Sequence, residues 1–475
     1  MAEVEPFSAK WSRVAMTWLP FADAASADLP LSRLLRLALF QVSVGMATVL
    51  LNGTLNRVMI VELGTPAWLV AAMIAVPLVI APFRALIGHR SDMHRSALGW
   101  RRVPYIWMGT TLQFGGLAVM PFALILLSRP DVFSLGVVAS GFAFLLTGAG
   151  IHVTQTAGLA LATDLAPEDK RPRAVALLYV MLLVGMMFAA FVMGGLLLDY
   201  SHTRLVQVIQ GAAVLTFGFN LVALWKQEAR NPEFTNRDQE RPAFAKEWRA
   251  FTADAPTRRM LVAIGLGAAA FAMQDALLEP YGGEILALSV GATTSLTGGW
   301  ALGTLLGFAM AGRMLGRRLR ALRIAGYGLS VGILAFLLIM FAAPLDLPIL
   351  LAVGALAIGF GNGLFAVGTL VAVMALSKGG SSGIALGAWG AVQATCAGIA
   401  ILVGGILRDV VSHFALSDAL GTTLATRASG YGAVYFLEIL LLLATLIVIG
   451  PLVGREQPGE NASEQDPFGL AEFPT

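Results

Sequence analysis

Apolar residues run in long blocks along this chain, with short polar connections between them. The blocks fall at approximately 34–58, 67–88, 103–127, 133–163, 174–198, 204–225, 260–282, 292–315, 321–343, 347–376, 384–407 and 431–454. Each reaches the roughly 20 residues that a helix needs to cross a bilayer core. The pattern predicts an all-α integral membrane protein of twelve transmembrane helices. The longer blocks are expected to tilt or to run past the lipid. Residues 1–30 mix polar and apolar positions and contain no signal-peptide core.

Composition sharpens this reading. Of 475 residues, 57% are hydrophobic and 13% charged, with a mean hydropathy of +0.76. Soluble globular proteins carry about twice that charged share. A soluble enzyme, a disordered chain and a nucleic-acid-binding protein are therefore excluded, and a net charge of +3 offers no field for an acidic polymer. The single cysteine, Cys396, excludes an intrachain disulfide and a multi-cysteine metal site. Fifty-two glycines suit close helix contact in lipid.

The cations are distributed unevenly. With the N-terminus inside, 26 Lys and Arg fall on cytoplasmic segments, against five on the other side: Arg57, Arg129, Arg204, Arg408 and Arg427. That bias predicts cytoplasmic N- and C-termini. Residues 227–257 form the one long charged loop, which places a six-helix bundle on either side, 33–226 and 258–454. Residues 1–32 precede them as a cytoplasmic segment, in which Trp11, Val14, Trp18 and Leu19 fit an interfacial helix. Residues 455–475 form an acidic tail that is expected to be disordered.

The two halves resemble each other. Gly148 and Gly150 match Gly359 and Gly361, while Gly194, Gly195 and Asp199 match Gly404, Gly405 and Asp409. Either Gly-rich spans coincide by chance, or a six-helix unit is duplicated with pseudo-symmetry, as in major facilitator transporters. The loop after the second block carries Gly88, Asp92, Arg101 and Arg102. It resembles the stretched major facilitator loop signature, in which the acid favours one conformation.

Polar residues at membrane depth are costly and mark candidate function. In the first block Gln41, Gly45, Thr48, Asn52 and Asn56 recur at helical spacing and share a face, suited to binding or to interhelical hydrogen bonds. In the fourth, His152 and Gln155 share a face. They suit either axial ligation of a chlorin magnesium or a structural contact. The seventh ends FAMQDALLEPYGGEI, which puts Asp275 and Glu279 one turn apart, with Pro280, Gly282 and Gly283 ending the helix. Those carboxylates suit a proton relay or pairing with Arg57 or Arg84, and the repeat sets Arg57 opposite Glu284. Asn52, Arg57, Asp275, Glu279 and Glu284 are thus read as one internal polar network, with a structural ion pair favoured. No catalytic triad, phosphate loop or resident metal site is apparent, and the chain is not expected to be an enzyme.

Several stretches carry a family resemblance: FADAASADLPLSRLLRLALFQVSVGM (21–46), LNRVMIVELG (55–64), APFRALIGHRSDMHRSALGWRRVPYIWMG (81–109), HVTQTAGLALATDLAPEDKRPRAVALLYVMLLVGM (152–186) and QDALLEPYGGEIL (274–286). Together they resemble the PucC/LhaA family, the bacteriochlorophyll-delivery branch of the major facilitator superfamily. The wording is closer to the LhaA-like, core-antenna members. The resemblance implies an assembly factor in the inner and intracytoplasmic membrane of purple phototrophic bacteria. Its partners would be light-harvesting α and β polypeptides, with the reaction centre, pigment-biosynthesis enzymes and membrane lipids as further candidates. Bacteriochlorophyll a is the implied ligand or cargo, and carotenoid a second pigment. Two competing readings are a secondary transporter of a small solute, with a central aqueous cavity, and a scaffold without a pigment site. A pigment handler should instead have a lateral groove open to lipid.

Overall fold

The computed structural model describes residues 29–79, 100–167, 170–228, 252–375, 382–417 and 425–453. The N-terminal segment, Gly88, Asp92, Arg84, most of the central loop and the acidic tail lie outside them.

Every predicted block carries a helix. They are α1 (31–62), α2 (Ala67–Val79), α3 (Val103–Leu127), α4 (Phe133–Leu165), α5 (Arg171–Leu196), α6 (His202–Leu224), α7 (255–284), α8 (Val290–Gly316), α9 (Ala321–Ala342), α10 (Pro348–Ala375), α11 (Ser382–Leu416) and α12 (Ala428–Val453). Ten are long and apolar enough to cross a membrane. The other two are α2, described only as far as Val79, and α8, where Thr293, Thr294, Ser295, Thr297 and repeated glycines dilute the hydropathy. Large apolar side chains such as Phe122, Val138, Phe188, Leu334 and Ile447 stay exposed, as a lipid-facing surface requires. The chain is a multi-pass membrane protein.

Local chemistry sets the helix ends. Ser201 and Ser289 cap α6 and α8 by accepting from the Arg204 and Ala292 amides at 3.1 and 3.2 Å. Gly64, at φ +64°, turns the chain from α1 into α2 in a conformation that costs glycine little.

Helix pairing follows a recurring scheme. α1 lies against α5 and α6, as α7 lies against α11 and α12; α3 pairs with α4, as α9 does with α10. Two seams join the first six helices to the rest, α2 along α11 and α5 along α8. Glycines set their spacing: a Cβ on Gly405 would strike Ala71 and the Ala67 carbonyl, and one on Gly291 would strike the Gly194 carbonyl. Small residues of this kind let helix backbones approach in lipid.

Charged groups gather at two opposite ends. At one, Arg33 in the first turn of α1 meets Gln227 after α6, and Arg101 and Arg102 before α3 meet Asp164 at the end of α4. At the other, the far end of α1 meets the end of α7, whose Glu284 pairs with α11 and with the start of α12.

Candidate functional site

The first feature is a lateral groove of about 350 Å³ between α5 and α6, floored by Val42 and Met46 of α1. Gly185, Phe188, Ala189, Val192, Met193 and Leu196 form one wall; Val208, Gly211, Ala212, Leu215 and Phe219 form the other. Gly185 brings α5 onto α1, because a Cβ there would meet the Val42 backbone. Gly211 faces open space, with nothing within 4 Å of an added Cβ. Arg204 and Gln207, in the first turns of α6, are the polar lining residues. Apolar walls with a few placed polar groups are the usual make-up of a ligand site.

His152 and Gln155 do not line this groove. They are buried within the first six helices, where Gln155 reaches Gln41 of α1 at 3.5 Å. Next to them a hydrogen-bonded chain crosses the bundle. Gln113 of α3 donates to the Ser43 carbonyl, Ser43 meets Asn220 of α6, and Asn220 donates to Thr110. Ser43 lies outside the polar stripe read from the sequence; of that stripe, Gln41 makes an interhelical contact here, to Gln155.

The second feature is the junction of α1, α7 and α8. Asn56 donates to the Asn52 carbonyl at 2.9 Å and to the Asp275 carbonyl at 3.4 Å. Gly53 leaves room for the Glu279 carboxylate, which accepts from Thr297 of α8. Thr54 meets Thr294 at 3.1 Å. Asn56 thus bridges the Asn52 and Asp275 backbone carbonyls, and the Glu279 carboxylate lies beside Gly53 of the same helix stretch. Glu438 of α12, fully buried, joins Gln274 and Asp275 there. It is the one acid in the last apolar block, a signal that the sequence reading passed over.

Three expectations need correction. Arg57 does not face Glu284: it pairs with Glu62 and donates to the Leu288 carbonyl at 3.2 Å, while its guanidinium lies against Gly283. Glu284 instead pairs with Arg408 and with Arg427 at 3.0 Å, and accepts from the Tyr431 hydroxyl at 2.7 Å. Arg408 also holds Asp409 at 2.7 Å and stands 4.7 Å over the Tyr431 ring. Second, Asp275 and Glu279 are not one α-turn apart. A 3-10 turn at Met273–Ala276 interrupts α7, and the helix restarts at Leu278. Third, Pro280, Gly282 and Gly283 lie within that final helical turn, so the break comes before them, at 273–277. Pro280 sits in its first turn, where a missing amide costs nothing.

The α1 stripe is altered too. Wide π turns at Leu50–Leu55 and Val58–Glu62 shift the register, so Gly45 packs against Leu182 and Met186 of α5 while Asn56 faces α7. Such turns frequently mark functional positions in helices. At the same end, burial pushes the Tyr200 phenol above its ordinary value; Glu62 adds to the shift and Arg57 opposes it.

At the opposite end, Arg101 and Arg102 hold Asp164 at 2.6 and 2.9 Å. The Glu228 carboxylate accepts the backbone amides of Arg101, Arg102 and Val103, capping α3. The loop-signature arginines thus tie α3 to α4 and to the segment after α6, whereas Gly88 and Asp92 lie outside the described residues. Among the described residues no cluster of three or more His, Cys, Asp or Glu could hold a metal ion.

Comparison with known proteins gives concordant results. The PUCC protein family matches residues 54–457. A protein of Rhodobacter capsulatus described as an uncharacterized protein in the puhA-bchM intergenic region is 52% identical over 469 residues, 97% of this chain and 98% of its own. Protein PucC of Rhodovulum sulfidophilum is 55% identical over 406 residues, 84% and 89% of the two chains. The structure resembles that of a bacterial homolog of the human lysosomal transporter Spinster, inward-facing and unoccupied. The TM-score is 0.67 at 14% identity, covering 89% of this chain and 96% of that one. The fold is that of major facilitator transporters.

Proposed function

This chain belongs to the PUCC protein family, and from that premise we propose that it is a non-enzymatic assembly factor for photosynthetic light-harvesting antenna. It receives bacteriochlorophyll a from the bilayer and presents it to α and β antenna polypeptides, most specifically those of the core antenna. Twelve spans in two pseudo-symmetric halves, 33–226 and 258–454, form the body, with both termini on the cytoplasmic side of the inner and intracytoplasmic membrane. The repeated helix pairing supports that division.

One observation carries the functional reading: the apolar groove opens sideways between α5 and α6. A carrier of hydrophilic solutes needs polar walls reached from water. A molecule that accepts a lipid-soluble pigment needs walls of this composition, reached from lipid. Gly211 keeps the groove open by withholding a side chain, and Gly185 lets α5 lie against the α1 floor. A solute-transport reading draws on the buried Asp275, Glu279 and Glu438, and it predicts ion- or proton-dependent solute uptake into vesicles.

The test is a mild-detergent preparation from a phototrophic host. The proposal expects bound bacteriochlorophyll together with α and β polypeptides; absence of both overturns it. His152→Phe is expected to leave pigment occupancy unchanged, since His152 does not line the groove. Loss of pigment in that variant, with the fold intact, would move the site to α4.

A further inference from the structure

We infer that the arginine hairpin between α8 and α9 is a binding site for an anionic phospholipid, with guanidinium groups on the phosphate and the acyl chains lying along α8. The site is separate from the α5–α6 groove and does not depend on what fills it.

Uncompensated charge is the first argument. Arg313, Arg317, Arg318, Arg320 and Arg323 fall within this one hairpin, and no acid stands between Glu284 and Asp346. All but Arg320 are exposed. Among the described residues none of them makes an ion pair; Arg320 is committed elsewhere, donating to the Val453 carbonyl at the end of α12 at 3.0 Å. The arginines ahead of α3, the helix that α9 matches in the repeated pairing, are different. Arg101 and Arg102 both hold Asp164, at 2.6 and 2.9 Å. Orientation in a membrane requires cations on one side. It does not require that they lack acids, and the first half shows the same kind of turn with its charge answered.

Position is the second. Leu306, Met310, Arg313 and Arg317 recur at helical spacing and share one face of α8. All four are exposed, the two apolar ones at 47% and 40%. The face is therefore apolar along the span and cationic where the helix ends, the same order as the acyl chains and phosphate of a phospholipid. On α9 the exposed Tyr327 lies one turn from Arg323 and continues the boundary. A soluble acidic polypeptide would meet the cations and leave Leu306 and Met310 unmatched. A zwitterionic lipid would meet the apolar part and leave the net positive charge unanswered.

Backbone geometry is the third. Helix α8 closes with the Arg318 and Leu319 amides donating back to the Leu315 and Met314 carbonyls, at 2.8 and 3.1 Å. Arg318 takes the left-handed conformation that this closure needs, at φ +59°. Glycine is the usual residue there, because a side chain strains that backbone. An arginine in glycine's place keeps a cation at the tip of the hairpin against a local conformational cost. Guanidinium is suited to the task, since its planar fork meets two phosphate oxygens at once.

The test uses the full chain in detergent micelles, titrated with phosphatidylglycerol and with phosphatidylcholine of identical acyl chains, and read by native mass spectrometry. Phosphatidylglycerol should bind at least about tenfold tighter. The preference should shrink as ammonium acetate is raised, because salt screens exposed charge. Arg318→Gly should weaken phosphatidylglycerol roughly fivefold, the worth of one cation near an anionic headgroup, with helix content unchanged. R313Q, R317Q, R318Q and R323Q together should remove the preference, whereas R313K, R317K, R318K and R323K together should keep most of it. Arg101→Gln, at a cation already paired, should leave it within about twofold. Circular dichroism and a monodisperse elution profile confirm that the variants fold. Equal affinity for the two lipids overturns the site. So does a preference that survives the fourfold Gln variant, is lost in a folded fourfold Lys variant, or falls equally with Arg101→Gln. A preference that emerges only when Glu456, Glu460, Glu464, Asp466 and Glu472 are neutralised also overturns it, since the chain's own acidic tail would then be the partner of the hairpin.

Discussion

Glu284 is held by two cations of very different exposure, which separates a structural pair from a decorative one. The Arg408 side chain is 11% exposed and that of Arg427 is 65%. Arg408→Ala leaves Glu284 and Asp409 without their inner partner and should cost about 3 kcal/mol, the range for breaking a buried pair. Arg427→Ala should cost less than about 1 kcal/mol, as exposed pairs do. Thermal unfolding of both variants in one detergent checks the ranking. Asn52, Arg57, Asp275 and Glu279 stand out because a polar group in an apolar run is conspicuous. Their partners were not legible, because spacing arguments assume 3.6 residues per turn throughout. The π turns of α1 and the 3-10 turn of α7 rotate Arg57 and Glu284 away from each other.

Helices α8 and α10 show how an element is positioned by what it lacks. Gly303 faces the Leu356 carbonyl and Gly359 faces the Trp300 carbonyl, so neither has space for a methyl group. Gly359→Ala should force the helices apart and lower stability by about 2 kcal/mol, as overpacking does. Gly218→Ala, in α6 and facing open space, should be neutral or stabilise by up to about 1 kcal/mol through helix propensity. Denaturant titration of both checks the contrast. Element positions were readable from hydropathy, because a bilayer imposes its thickness on every crossing segment. Block 133–163 and α4 agree at one end and differ by two residues at the other. Even α8, whose Ser and Thr content lowers its hydropathy, was found as a block between Ser289 and the Arg317–Arg318 turn.

The molecule as a whole presents alternating ends to water. Exposed Ser128 follows α3, and Arg318 follows α8. In a Cys396→Ala background, a cysteine at 318 should react with an impermeant maleimide only from the cytoplasmic side, and one at 128 only from the other. The reverse pattern would invert the proposed orientation. The proposed orientation comes from cation counting, which needs only the sign and position of each loop residue. The groove was not legible in the same way. Its walls are ordinary lipid-facing residues such as Val192 and Leu215, indistinguishable by composition from the rest of the outer surface. Its depth comes from Gly211, which puts no side chain into it from α6, and from Gly185, which lets α5 close onto α1, relations between elements rather than a pattern along one.

All three walls of that groove belong to α1, α5 and α6. Entry into it from the bilayer requires no opening of the α2–α11 or α5–α8 seams. Filling and emptying would then obey simple partitioning between two oily phases, indifferent to membrane voltage and to ion gradients. On the proposed reading such a protein would buffer free pigment, loading when synthesis outruns antenna insertion and unloading when new polypeptides take the pigment up.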